Sequence, residues 1–351
     1  MKNENKEIRI ADIFGGVGGF RLGIERAIND RRNSKKLCKD ERNKPSTNRG
    51  YGERRRAYTS CVFYSEIDKF AVQTYNKNFK ENHKPTDITK IRAENIPDFD
   101  ILCGGFPCQA FSIAGKRRGF QDTRGTLFFE IARIIKAKKP KLVFLENVKG
   151  LLNHEKGQTF SIIIQTISEL GYDVQWMVLN SKFFGVPQNR ERVFIIGSIR
   201  GECKPEILSF RYTGEKYNEK QLYGKKTSKP SKCSQDSQNR GGQSTNKLRI
   251  NAATKKGYSE AVAGDGIRLE YPQSKTARGR VIKGNSNTLK SGTEGVVTTD
   301  MKIRKLTPIE CERLQGFPDN WTEGVSDTQR YKQMGNAVTV NVIEAIAGKL
   351  I

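Results

Sequence analysis

The chain has 351 residues, 35% of them hydrophobic, enough for one large domain or two smaller ones with separate cores. A formal net charge of +25 at pH 7 favours a polyanionic partner, nucleic acid above all, bound in a salt-dependent way. No run approaches the roughly 18 apolar residues of a membrane helix, the opening MKNENKEIRI has no signal-peptide run, and seven cysteines without a CxxC pair argue against a disulfide frame or a structural zinc site.

In chain order, IRIADIF (8–14) reads as a buried strand, followed by GGVGG and a helix to about residue 30. A basic stretch, 31–57, reads as an insertion. CVFYS (61–65) is a second strand, and IDKFAVQTYNKNF carries apolar residues at helical spacing. DILC (100–103), KLVFLEN (141–147) and RVFIIGSI (192–199) are further strands, with TLFFEIARIIKAKK and QTFSIIIQTISELG as amphipathic helices between them. Strands alternating with helices predict a parallel, doubly wound α/β sheet, whose ligands bind at the carboxyl ends of the strands. After residue 200 the texture becomes polar and loop-rich, with strand-like GRVIKG and GVVTT, and segment 201–302 has a net charge of +10. The last run, AVTVNVIEAIAGKL, is apolar enough to pack back onto the sheet.

Several positions carry chemistry. ADIFGGVGGFRLG (11–23) is a strand, a glycine loop and a helix start, where backbone can approach a ligand closely. A dinucleotide fingerprint would need a third glycine where Arg21 stands, and no GxxxxGK[ST] exists, so the motif fits a nucleoside ligand without pyrophosphate. Glu66 ends the second strand 47 residues after Gly19, and omitting the 27 residues of the insertion leaves the spacing of about 20 expected for a ribose-binding carboxylate. Cys103 closes an apolar strand and reads as a packed, inert thiol, whereas Cys108 follows Gly104-Gly105-Phe106-Pro107 at the carboxyl end of that strand. With two histidines in the chain, neither in a motif, Cys–His chemistry is disfavoured. Glu146, in FLENV, ends another apolar strand, where desolvation favours the neutral acid; alone it would read equally well as a helix cap. Arg190 and Arg192 in QNRERV share one side of an extended segment and suit a carboxylate, a phosphate or a base carbonyl.

The motifs DIFGGVGGF, YSEID, DIT, GGFPCQAFS, RGTLF, ENV, QNRER, RKLTPIECERLQGFP and YKQMGNAV come in one order along nearly the whole chain. In that order and spacing the chain resembles the C5-cytosine DNA methyltransferases. The resemblance implies a Rossmann-like, doubly wound S-adenosylmethionine-dependent methyltransferase fold with a smaller target-recognition domain. Its expected limits are 1–199 completed by 330–351 for the catalytic domain, and 200–329 for the small one. It also implies that Cys108 adds to C6 of a cytosine flipped from duplex DNA, that Glu146 contacts N3, and that Arg190 and Arg192 hold O2 and a neighbouring phosphate. S-adenosyl-L-methionine would meet Phe14, Gly16, Gly19, Glu66, Ile67, Asp87, Ile88, Pro107, Leu127, Asn336 and Val338. Ile67 stands where relatives often carry an aromatic residue, so the adenine contact there is apolar packing. Ser112, Lys116, Arg117 and Arg118 resemble a mobile loop that closes on DNA, and Gln188, Thr288 and Leu289 are further candidate DNA contacts.

Competing readings are weaker. A nicotinamide oxidoreductase lacks its glycine fingerprint, and an amino-methyltransferase would want a [DN]PP[YF] loop, whereas the chain has no Pro-Pro. A tRNA cytosine methyltransferase of the same fold is disfavoured by the long basic small domain and a missing Cys-Phe-Thr signature. A catalytically inactive relative is disfavoured by the intact Cys108, Glu146, Arg190 and Arg192. The expected protein is thus a monomeric, cytoplasmic modification enzyme of a prokaryote or phage acting on double-stranded DNA without a metal. A cognate restriction endonuclease would act separately.

Overall fold

The computed structural model describes residues 7–39, 59–107, 127–201, 247–269, 281–290, 292, 294–298 and 300–351, side chains of 31–39 excepted. Cys108, Ser112, Lys116, Arg117 and Arg118 lie outside the described residues. Those described fall into two compact units. The larger takes its residues from Met1–Ser209, Thr288–Gly292 and Leu306–Ile351, and the smaller from Phe210–Asn287 and Thr293–Lys305.

The larger unit is built on six strands: β1 (Ile8–Ile13), β2 (Thr59–Ser65), β3 (Ile101–Gly105), β4 (Leu142–Val148), β5 (Tyr172–Asn180) and β6 (Glu191–Ile199), in the order β2-β1-β3-β4-β6-β5. The first four run parallel, as expected from the strand–helix alternation. The sheet as a whole is mixed, because β6 is antiparallel to both β4 and β5. A short turn, Ser181–Phe183 and the residues after it, returns the chain from β5 straight into β6. Parallel neighbours would have needed a long crossover instead. The strand β5 is itself an addition to the sequence reading: YDVQWMVLN is buried at its two ends and half-exposed between them, so its hydrophobic signal is diluted.

Helices α1 (Gly19–Lys39), α2 (Lys69–Phe79), α3 (Leu127–Lys138) and α4 (Gln158–Glu169) follow their strands. The expectation that α1 stops near residue 30 is corrected: it runs to Lys39, since no Gly or Pro interrupts 24–44. Helices α5 (Pro308–Leu314), α6 (Asp327–Asn336) and α7 (Val340–Leu350) complete the unit. A capping box between Thr307 and Glu310 starts α5. Buried Glu312 then takes Arg330 at 3.0 Å and the amide of Thr322 at 2.9 Å, which ties 306–329 to α6 and so to the larger unit. Helix α7 lies on α1, where Gly23 leaves no room for a side chain beside Ile343. The core joins Ile13, Leu102, Phe128, Ile131, Ile135, Val143, Leu145 and Ile195 across the sheet.

The smaller unit has a four-stranded antiparallel sheet of β9 (Gly266–Arg268), β10 (Val281–Ile282), β11 (Glu294–Val297) and β12 (Ile303–Lys305), ordered β10-β9-β11-β12. A hairpin of β7 (Leu248–Asn251) and β8 (Tyr258–Ala261) accompanies it. Its small core is Ile250, Ala261, Ile267 and Val297. Buried Asp265 binds the amides of Val262 and Gly284 and the ammonium of Lys283, which closes the turn before β9.

Candidate active site

The carboxyl ends of β1, β2, β3 and β4 open on a cleft of about 490 Å³. All eleven residues proposed for the cofactor line it: Phe14, Gly16, Gly19, Glu66, Ile67, Asp87, Ile88, Pro107, Leu127, Asn336 and Val338. Glu146, Arg190 and Arg192 line it as well. Strand order is the cause, because adjacent parallel strands deliver their carboxyl-terminal loops to one edge of the sheet.

The glycine loop after β1 is held in an unusual backbone state. Phe14 and Gly16 adopt φ of 55° and 54°; Gly16 has the freedom for this, whereas at Phe14 it carries strain of the kind concentrated at binding sites. The Gly16 amide donates to Glu66 Oε2 at 3.1 Å, and its carbonyl accepts from the Tyr64 hydroxyl at 2.7 Å. Glu66 Oε1 in turn accepts the amide of Asp68 at 2.8 Å. The carboxylate at the end of β2 is therefore aimed at the loop by two backbone N–H groups. Asp87 caps the short turn 88–90, and its bonds to Thr89, helped by Lys90, hold its carboxyl below the usual range.

The two glycines ahead of Cys108 have separate reasons. A side chain at Gly104 would collide with the carbonyl of Ile13 on β1, so the strands touch there. One at Gly105 would come within 3.2 Å of Glu146 Oε2, so this glycine leaves the space that the carboxyl occupies. Cys103 is fully buried, its thiol directed at the carbonyl of Ala11. Burial and the neighbouring Asp12 push that thiol far up, which keeps it protonated.

Glu146 is 8% exposed at the end of β4. Arg192 Nε lies 2.9 Å from Glu146 Oε1, an ion pair in which the N–H is not aligned for a hydrogen bond. Desolvation raises the Glu146 carboxyl above its ordinary value and outweighs the opposing pull of Arg192 and Arg190. The acid is thus biased toward its neutral, proton-donating form. Arg190 is 2% exposed and donates through Nη2 to the carbonyls of Gly335 and Ala337, at 3.1 and 2.8 Å. Its Nε and Nη1 have no hydrogen-bond partner among the described residues. It therefore braces the 335–338 wall of the cleft and keeps two donors in reserve beside Glu146.

Gln188, fully buried, donates to the carbonyl of Leu314 at 2.8 Å and accepts the amide of Leu289 at 3.2 Å. Thr288 donates to the carbonyl of Asn189 at 2.7 Å. The structure brings these three candidate DNA contacts together at the QNRER segment, with Gln188 and Leu289 in the interior. Residues the sequence reading passed over also line the cleft: Val17, Phe20, Asp68, Thr86, Phe106, Asn147, Val148, Lys332 and Gln333. All but Thr86, which precedes DIT, lie inside the quoted motifs, and that membership was their one signal.

Asp12 lies beneath this cleft, fully buried, with Oδ2 unpartnered among the described residues and a carboxyl pushed up to about 7 by desolvation. Between the ordinary 3.8 and about 7, the folded protein holds a proton that the unfolded chain has lost. Stability from this group is thus present at low pH and disappears as pH rises through that window. Asp12→Asn should flatten the fall in melting temperature between about pH 4 and pH 7, by the equivalent of a few kcal/mol. Thermal melts across that range check it, and an unchanged slope would place the titration elsewhere.

A profile of the C-5 cytosine-specific DNA methylase family matches residues 8–351. The chain is 41% identical over 358 residues to the Type II methyltransferase M.SsoII of Shigella sonnei, covering 99% of this chain and 81% of that protein. It is 37% identical over 342 residues to the Type II methyltransferase M.HhaI of Haemophilus parahaemolyticus, covering 97% and 93%. Among solved structures, the S. pombe Dnmt2 methyltransferase superposes with a TM-score of 0.56 at 16% identity, over 97% of both chains. The Entamoeba histolytica methyltransferase EhMeth gives 0.51 at 18%, over 97% and 96%. These last two likenesses establish the Rossmann-like methyltransferase fold. With a profile that spans the chain from β1 to its last residue and relatives alike along most of their length, this chain belongs to the C-5 cytosine-specific DNA methylase family and is a DNA cytosine methyltransferase.

Proposed function

We propose that the enzyme moves a methyl group from S-adenosyl-L-methionine to C5 of a cytosine flipped out of a specific double-stranded DNA sequence. The observation that carries this reading is a desolvated Glu146, paired with Arg192, in the same cleft as Glu66, which accepts the Gly16 amide of the glycine loop. The residues present fit the cofactor: Phe14, Ile67 and Ile88 offer apolar contact for an adenine, Glu66 an acceptor pair for a ribose diol, and Gly16 an open approach to backbone. When bound, the cofactor supplies an electrophilic methyl on a sulfonium.

Cytosine C5 is a poor nucleophile until another nucleophile has added at C6. The Cys108 thiolate bonds to C6, and Glu146 delivers its proton to N3, so that the ring electrons collect at C5. Arg192 and Arg190 neutralise the carboxylate left behind and hold O2 or a nearby phosphate. After methylation, loss of the C5 proton to solvent water restores the C5–C6 double bond, expels Cys108 as the thiolate, and returns the N3 proton to Glu146. Flipping costs a few kcal/mol, offset by contacts from the loop of Ser112, Lys116, Arg117 and Arg118 and from the basic small unit. Both relatives named above are Type II methyltransferases, which supports a modification role in the cytoplasm of a prokaryotic or phage-infected cell, beside a separate cognate endonuclease. The enzyme would act as a monomer.

Bisulfite sequencing of plasmid from cells expressing the protein tests this reading. One protected cytosine context at every occurrence is expected. A plasmid without protected cytosines, from cells holding folded protein, would overturn it in favour of the RNA-directed or inactive alternatives.

A further inference from the structure

Among the described residues, the cofactor end of the cleft carries three carboxylates on its lining, Glu66, Asp68 and Asp87, and one lysine, Lys332. Lys332 projects from α6 and meets Asp68 Oδ2 at 2.7 Å, across 264 residues of sequence. The other Asp68 oxygen caps α2 through the amide of Phe70 at 2.9 Å. One residue before Asp68 stands Ile67, 68% exposed on the lining, and one before that Glu66, which accepts the Asp68 amide. A deeper contact already fastens these helices, Thr74 donating to Gln333 Oε1 at 3.0 Å in the interior, and Asn78 ties α2 to the segment ahead of α6 through the carbonyl of Trp321 at 2.8 Å. The Asp68–Lys332 pair, at 24% and 50% side-chain exposure, is the rim contact of that series. Since the buried Thr74–Gln333 bond holds α2 on α6 without it, its distinctive contribution is charge on the lining of the cleft.

On the reading of the cleft as a site for S-adenosylmethionine, we infer that Lys332, held on Asp68, sets how strongly the site prefers methyl donor over demethylated product. The donor carries a sulfonium and an ammonium against one carboxylate, one net positive charge. The product is a thioether with no net charge. Apart from the transferred methyl the two ligands are the same, so a change in cleft charge acts on the difference between them. Glu66 is held by two amides, and the partner of Asp87 is Lys90, which is 80% exposed and outside the lining. Lys332 is therefore the side chain that decides whether the Asp68 end of the cleft is neutral or negative.

The test measures dissociation constants of S-adenosylmethionine and S-adenosylhomocysteine by calorimetry on the full chain, as wild type, Lys332→Met, Asp68→Asn and Lys332→Arg. Lys332→Met leaves a bare carboxylate and should shift the affinity ratio toward the donor by roughly two- to fivefold, the scale of one charge across a wet cleft. Asp68→Asn leaves a bare ammonium and should shift it the opposite way. Lys332→Arg should keep the wild-type ratio, and 0.5 M salt should shrink both shifts, about 10 Å being the screening length at 0.1 M. A purely structural strut would weaken both ligands together in both variants, so an unmoved ratio, or shifts of the same sign, overturns the inference. Wild-type protein that binds neither ligand would instead overturn the cofactor reading, and the inference with it.

Discussion

Cys108→Ser is expected to abolish methyl transfer, by at least about three orders of magnitude, while DNA binding stays within a few-fold of wild type. A serine hydroxyl at neutral pH has essentially no anionic form and would need a base, and neither histidine lies on the cleft lining. The thiol needs less help, because a cysteine is already a few per cent thiolate at pH 7 and intrinsically nucleophilic. Gel-shift assays paired with transfer of labelled methyl groups separate the two properties. Turnover near wild type in the serine variant would sink the assignment of Cys108. The control is Cys103→Ala, five residues earlier. Its thiol is sealed under the sheet and far from ionising, so removal should cost about 1 kcal/mol of packing and leave the chemical step intact.

The second large effect is at Glu146. A glutamine there keeps the shape and a hydrogen bond but has no proton to give, so single-turnover methyl transfer should fall by about 10²- to 10⁴-fold. The sign of the pH dependence follows from the raised carboxyl. The active form is the neutral acid, so the wild-type rate of the step should fall as pH climbs through the raised value. The variant should lose that limb. Removing the carboxylate also leaves Arg190 and Arg192 without their shared counter-charge, so melting curves must accompany the kinetics. A variant that melts normally yet keeps the wild-type pH profile would remove Glu146 from the proton transfer.

Much of this site is readable from residues because its parts sit at strand ends. IRIADIF, CVFYS, DILC and KLVFLEN are apolar runs with a glycine or an acid beside their last residue, and adjacent parallel strands place those ends side by side. What the residues do not disclose is direction and distance. RVFIIGSI reads as a strand, yet nothing in its periodicity says that it runs against its neighbours. Asp68–Lys332 and Arg190–Ala337 are contacts over 264 and 147 positions, which no local pattern encodes. Asp12 reads as an ordinary motif residue, and its displaced titration exists only because the folded sheet buries it, against the opposing pull of Arg21. The interior placement of Gln188 and Leu289 depends likewise on segment 288–292 joining the larger unit.

The late position of 332–338 along the chain has a consequence for biosynthesis. These residues wall the cleft that Phe14, Glu66 and Glu146 otherwise leave open, and α7 covers α1 just behind them. At about 5–20 residues per second, that wall leaves the ribosome roughly 10–40 s after Glu146. Through that interval the nascent sheet stands with α1 uncovered and the cleft one-sided, a span in which a chaperone has more to offer than the cofactor. Activity is thereby withheld from interrupted chains: a polypeptide that stops short of α6 has β1 through β6 and Glu146, but lacks a wall of the cleft in which to use them.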